Sequence, residues 1–187
     1  MSDDKKVIFI DRDGVVNEDP GGWTEHGYVT KWEDFHFLPG SKEALRKLNE
    51  NGYDIVIISN QAGVGKGYYT EEDLESITRN MLDAISESGG RVKGVYYCVH
   101  KADDNCDCRK PGTGLFRRAE TELGIESYGR YFVGDGKMDV EAASQAGLKS
   151  VLVLSGKTKL ADVRTWDIQP DFIFDNLYAS VNFIINH

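Results

Sequence analysis

Val7-Ile8-Phe9-Ile10-Asp11-Arg12-Asp13-Gly14-Val15-Val16-Asn17 is the stretch around which the rest of the chain is organised. Its first four residues are apolar and mostly β-branched or aromatic, the pattern of a buried strand. The strand runs into two carboxylates spaced one residue apart, with a glycine directly after them. Side chains at i and i+2 of a strand share a face, so extended geometry carried through to Asp13 would aim both carboxylates into one crevice. Gly14 lets the backbone turn sharply there. Open α/β sheets bind their ligands at the carboxyl ends of their strands. Two adjacent carboxylates would compete for a proton. A Mg²⁺ ion, which prefers hard oxygen ligands, removes that conflict. One Asp could then stay ionised as a nucleophile while the other moves a proton. The plain alternative is a solvated acidic turn after a strand.

A chain of 187 residues suits one domain, 1–187, with a sizeable core. With 40% hydrophobic and 28% charged residues it has ordinary globular composition. A net charge of -9 argues against a nucleic-acid surface, where a basic face is expected. There is neither a long apolar run nor a signal-peptide pattern, and the polar start Met1-Ser2-Asp3-Asp4-Lys5-Lys6 leads straight into the first strand. The expectation is a soluble, cytoplasmic, monomeric protein without nucleic-acid or membrane partners.

Further along the chain, a glycine- and aromatic-rich loop spans Glu18 to about Phe37. Its aromatics, Tyr28, Trp32, Phe35 and Phe37, would either line a pocket or pack the loop onto the domain. Pro39-Gly40-Ser41 opens a helix that Ser41 could cap, with Ala44, Leu45 and Leu48 buried and Gly52 ending it. Tyr53–Ser59 reads as a second buried strand, ending in Ser59-Asn60-Gln61 and a glycine-bearing loop. A hydroxyl at a strand end with loop amides behind it suits a phosphoryl oxygen, although serine there is usually only a turn residue. Thr70-Glu71-Glu72-Asp73 forms a capping box for a helix buried through Leu74, Ile77, Met81 and Ile85. Val92–Tyr97 is a third strand. Leu115–Leu123 is helical, Tyr131–Asp135 is a strand ending in a carboxylate, and a helix near Met138 would hold Asp139 in its first turn. Asp135 could then join Asp11 and Asp13 around a cation. Ser150–Leu154 and Phe172–Phe174 are strands, and a last helix runs from about Leu177 to Ile185.

All three cysteines fall in one eleven-residue window with a histidine: Cys98, His100, Cys106 and Cys108. Three thiols and an imidazole with no open position suit a structural, tetrahedral Zn²⁺. Unliganded thiols on a surface loop are the alternative. Arg109-Lys110 follows at once. A metal loop would hold these cations rigidly, Lys110 to neutralise a phosphate or the nucleophile and Arg109 to grip a second anionic group. An ordinary solvated basic pair is the commoner reading of such a dipeptide.

Four pieces stand in order: Asp11-Arg12-Asp13-Gly14, Ser59-Asn60-Gln61, Lys110-Pro111, and Gly134-Asp135 with Asp139. Together they resemble the signature motifs of the haloacid dehalogenase superfamily of phosphatases, over about residues 7–155. The finer resemblance, carried by Asn17, His26-Gly27-Tyr28-Val29, Ser59-Asn60-Gln61-Ala62-Gly63 and the Cys-x-His and Cys-x-Cys pairs, is to its D,D-heptose 1,7-bisphosphate phosphatase and histidinol-phosphatase subfamily. The resemblance implies a capless α/β fold: a Rossmann-like three-layer sandwich with a parallel sheet and a small zinc-binding loop. It implies that Asp11 attacks phosphorus and that Asp13 serves as acid and then base. Mg²⁺ would lie between the Asp11 carboxylate, the Asp13 main-chain carbonyl and Asp135, with Asp139 in support. Ser59 and Lys110 would bind the phosphoryl group. Substrate contacts would come from Arg12, His26, Gly27, Tyr28, Asn60, Gln61, Ala62 and Arg109. Zinc would order the loop without joining the chemistry.

The sequence departs from the subfamily in a longer loop before His26 and in Gly136, where Lys or Arg is usual; Lys137 comes one place later. The implied substrate is a small phosphorylated metabolite: D-glycero-D-manno-heptose 1,7-bisphosphate losing its 7-phosphate, or histidinol phosphate. A non-catalytic phosphate-binding protein on the same fold is the reading from another class, and Asp11, Asp13, Lys110 and Asp135 all being present counts against it. The acidic balance counts against a polynucleotide-end phosphatase.

Overall fold

β1 (Lys6–Ile10) lies inside a six-stranded parallel sheet with β2 (Tyr53–Asn60), β3 (Gly94–Cys98), β4 (Tyr131–Gly134), β5 (Lys149–Val153) and β6 (Phe172–Phe174), in the order β3-β2-β1-β4-β5-β6. This computed structural model describes residues 6–187, so most of the polar start lies outside the described residues. Alternation along β1 builds the layers. Ile8 and Ile10 face a core with Leu45 and Leu48 of α1 (Ser41–Glu50), Ile77, Met81 and Ile85 of α2 (Glu71–Glu87), and Val181 and Ile184 of the C-terminal helix. Val7 and Phe9 face the other core, with Leu115, Phe116 and Ala119 of α3 (Gly114–Leu123) and Ala142 and Ala143 of α4 (Lys137–Ala146). The fold is therefore the expected three-layer α/β sandwich. A short α5 (Leu160–Val163), not read in the sequence, precedes β6, and α6 (Leu177–Asn186) ends the chain.

The strand order reverses between β1 and β4, and that switch point is where such sheets open a crevice. Two local expectations need correction. Ser41 does not cap α1: the capping position is Gly40, with φ 76°, and the buried Ser41 hydroxyl has no hydrogen-bond partner among the described residues. Nor does the strand continue to Asp13, because β1 ends at Ile10. The Arg12 carbonyl accepts from the amides of Val15, Val16 and Asn17, which coils the chain immediately. The Thr70–Asp73 capping box forms as read. No helix among the described residues is long and apolar enough to cross a membrane.

Candidate active site

Beyond the carboxyl ends of β1 and β4 lies a crevice of about 350 Å³, bordered by Asp11, Asp13, Ser59, Arg109, Lys110 and Asp135, among others. Asp11 is buried directly after β1, where its amide still reaches the Val133 carbonyl of β4 at 2.8 Å. One of its carboxylate oxygens accepts from the Arg12 amide at 2.7 Å, and the other meets Lys110 Nζ at 2.8 Å. Lys110 Nζ also lies 2.7 Å from Asp139 Oδ1 and donates to the Ile58 carbonyl at 3.3 Å. Burial opposes charge on Lys110, but Asp11 and Asp139 outweigh it and hold the ammonium above its ordinary value. Asp139, in the first turn of α4, accepts at Oδ2 from the amides of Asp135 and Gly136.

Asp11, Asp135 and Asp139 each place a carboxylate oxygen within 4.8 Å of the others, and all three are buried. Of the cations nearby only Lys110 ion-pairs with these three carboxylates among the described residues, and a divalent cation would offset the remaining negative charge. Hard, buried oxygen donors suit Mg²⁺. Burial, then the neighbouring Asp139, push Asp135 up to about 7, and burial likewise raises Asp11. Gly14, at φ +79°, is wedged against Asp135: a Cβ there would sit 2.6 Å from its carboxylate. Gly156, after β5, is closer still: a Cβ built there would fall 2.1 Å from Asp135 Oδ2. The Lys157 amide donates to that oxygen at 3.0 Å.

Asp13 borders the same crevice but sits in a different network. Arg12 forks onto it from Nε and Nη2 at 3.0–3.2 Å, Asn17 donates at 2.8 Å, and Gln61 Nε2 donates at 2.8 Å. Gln61 in turn donates to the Ser59 hydroxyl and accepts from Arg12 and Tyr69. Arg12 is 0% exposed and lies between the rings of Phe35 and Tyr97. Arg12 and Gln61, expected as substrate contacts, do not reach the crevice: both are buried behind Asp13. His26 is also elsewhere, stacked on Tyr68 in a neighbouring hollow that Lys31 shares, while Gly27 and Tyr28 do border the crevice. Asn60 and Ala62 line it too, and Asn60 locks Lys110 by two hydrogen bonds to its backbone. The loop aromatics divide: Phe35 is buried, Trp32 and Phe37 pack on the core, and Tyr28 borders the crevice.

Cys98, His100, Cys106 and Cys108 come together just past β3. Cys98 Sγ lies 3.0 Å from Cys108 and 3.6 Å from Cys106, and His100 Nδ1 is 3.2 Å from Cys108 and 3.7 Å from Cys98. Ligands about 2.3 Å from a tetrahedral ion sit roughly 3.5–3.8 Å apart; two of these separations lie in that range and the two to Cys108 are shorter, and the three thiols and one imidazole are a donor set that suits such an ion. The cluster ends one residue before Arg109.

Sequence reasoning missed the Ser155-Gly156-Lys157 turn. Its signal was a polar glycine turn at the end of a strand on the same sheet edge as Asp11 and Asp135. It also missed Tyr69, and Asn17's hold on Asp13. Lys137 turns away from the crevice carboxylates to Asp167 at 2.6 Å and Glu141 at 3.5 Å.

The fold and this arrangement of carboxylates define a hydrolase of the haloacid dehalogenase class. A family model described as HAD-hydrolase-like matches residues 107–180. The D-glycero-beta-D-manno-heptose-1,7-bisphosphate 7-phosphatase of Haemophilus ducreyi is 37% identical over 96% of this chain and 98% of its own. The protein of the same name from Pasteurella multocida is 39% identical over 82% of this chain and 84% of its own. The crystal structure of D,D-heptose 1.7-bisphosphate phosphatase from B. bronchiseptica, complexed with magnesium and phosphate, is 30% identical. It superposes with a TM-score of 0.88 over 97% of this chain and 98% of that one. The chain belongs to the haloacid dehalogenase superfamily of phosphatases, in the group that contains these relatives.

Proposed function

We propose that the protein is a Mg²⁺-dependent D-glycero-β-D-manno-heptose 1,7-bisphosphate 7-phosphatase working through an aspartyl-phosphate on Asp11. The observation that carries the chemistry is the buried Asp11–Lys110–Asp139 chain with Asp135 beside it, at the switch point of the sheet. The near full-length likeness to phosphatases of that name supports the substrate.

Asp11 Oδ attacks phosphorus, and the bond from phosphorus to the departing alcohol oxygen breaks. Asp13 gives that oxygen its proton. Asp13 then takes a proton from the water that attacks the acyl phosphate, which frees Asp11 and orthophosphate. Lys110 and the Ser59 hydroxyl hold phosphoryl oxygens whose charge grows in the transition state. Arg109 takes an anionic group farther along the substrate. Arg12, Asn17 and Gln61 fix the Asp13 carboxylate, and Asp139 fixes Lys110 and the turn that carries Asp135. Asp11, Asp135 and the Asp13 main-chain carbonyl would hold Mg²⁺, which when bound supplies the charge that the carboxylates lack. Zn²⁺ on Cys98, His100, Cys106 and Cys108 would rigidify the loop that presents Arg109 and Lys110. The substrate is a small soluble metabolite, the location cytoplasmic, and the working unit one chain, 1–187.

The test is steady-state phosphate release with Mg²⁺ from both anomers of the heptose bisphosphate and from histidinol phosphate. The expected result is the highest kcat/KM on the β-anomer and none above background in Asp11→Asn. Preferred hydrolysis of histidinol phosphate would overturn the substrate, and Asp11-independent release would overturn the mechanism.

A further inference from the structure

Five carboxylates and four cations border the crevice. Lys110 is engaged by Asp11 and Asp139, and Lys137 by Asp167 and Glu141. Among the described residues, Arg109 and Lys157 have no ion pair within 4 Å and Arg109 Nη1 has no hydrogen-bond partner. The two come from opposite sides of β1: Arg109 from the loop after β3, Lys157 from the turn after β5. Lys157 is fixed at its root, because its amide is bonded to Asp135. Its side chain then lies over Gly136, where a Cβ would stand 3.2 Å from Lys157 Cε and 3.7 Å from Nζ. The absence of a side chain at 136 is what leaves room for it. An ammonium rooted beside Asp135, open to the crevice and without a partner, is placed to receive an anion.

We propose that Lys157 binds a phosphate oxygen of the substrate, acting from the β5 side of the crevice as the counterpart of Arg109. This rests on the phosphatase reading and adds a binding residue to it. The lysine is not part of the proton-transfer machinery, so its removal acts on binding more than on turnover.

The test is calorimetric binding of orthophosphate to the Mg²⁺-loaded protein, alongside steady-state kinetics, for wild type, Lys157→Ala, and Lys157→Ala combined with Gly136→Lys. Losing one charge-assisted hydrogen bond predicts about tenfold weaker orthophosphate binding and about tenfold higher KM, with kcat changed far less. Gly136 has an extended backbone, φ -139°, so a lysine there is unstrained and enters the volume that the alanine vacates. The double variant should recover most of both losses, which a merely structural role for Lys157 would not produce. Orthophosphate affinity and KM unchanged in Lys157→Ala, with wild type turning over normally, would overturn this inference alone. A wild type that hydrolyses no phosphomonoester, yet loses orthophosphate binding in Lys157→Ala, would keep the lysine's role and overturn the functional reading instead.

Discussion

Asp11 and Asp13 differ by two positions and have nearly opposite surroundings. Asp11 shares one lysine with a second carboxylate, whereas Asp13 is gripped by a guanidinium and two amides. The first arrangement holds an ionised nucleophile against Lys110, and the second holds a proton carrier in one place. Arg12 bears most of that second task. Replacing it with methionine keeps much of its volume between Phe35 and Tyr97 but strips Asp13 of its fork. The expected outcome is a loss of about 3 kcal/mol of stability in urea titration, with a fall in kcat. Lysine at position 12 should not rescue it, since an ammonium cannot fork. At this scale the sequence was partly legible. Asp11 and Asp135 announce themselves as charges directly after strands, and Asp13 and Lys110 by their place in the ordered set of motifs. Arg12 was expected at the substrate only through the family resemblance. The packing of Phe35, 23 residues downstream, and of Tyr97 buries it behind Asp13.

Among the elements, the loop from β3 to α3 does most to shape the site. It carries the Cys₃His cluster, then Arg109 and Lys110, and is tied to β2 through Gln61 N to Cys98 O and through Asn60 to Lys110. One zinc per chain is the expected result of elemental analysis, and Cys106→Ser should abolish it and lower the melting temperature. Turnover should fall even at saturating Mg²⁺, because Lys110 loses its fixed approach to Asp11. The clustering of every cysteine in one window made this element legible. The turn after β5 was not, because Ser155-Gly156-Lys157 looks like any polar strand ending. Its importance comes from the parallel pairing of β5 with β4, which sets it against Asp135.

For the molecule as a whole, the sheet brings acids from two separate strands to one buried point, and that convergence costs stability unless a cation is present. Asp135 has a folded value near 7 against an ordinary 3.8, raised by burial first and by Asp139 second. The cation-free folded state therefore binds more protons than the unfolded chain between about pH 4 and 7, and it loses stability as pH rises through that window. Mg²⁺ binds the ionised form, so the melting temperature it adds should be larger at pH 8 than at pH 5 in scanning calorimetry. An equal gain at both values would contradict the buried-carboxylate account. The parallel sheet was legible through the family resemblance, whereas the strand order, its switch point and the side-chain networks that cross it needed the fold. The proposed chemistry turns on a covalent phosphate formed on Asp11. The most direct measurement is acid quench during turnover of the heptose bisphosphate, borohydride reduction of any acyl phosphate, and mass spectrometry of the peptides. Homoserine is expected at position 11, with Asp13 and Asp135 unmodified. Sustained turnover with position 11 unmodified, or reduction at another carboxylate, would contradict it.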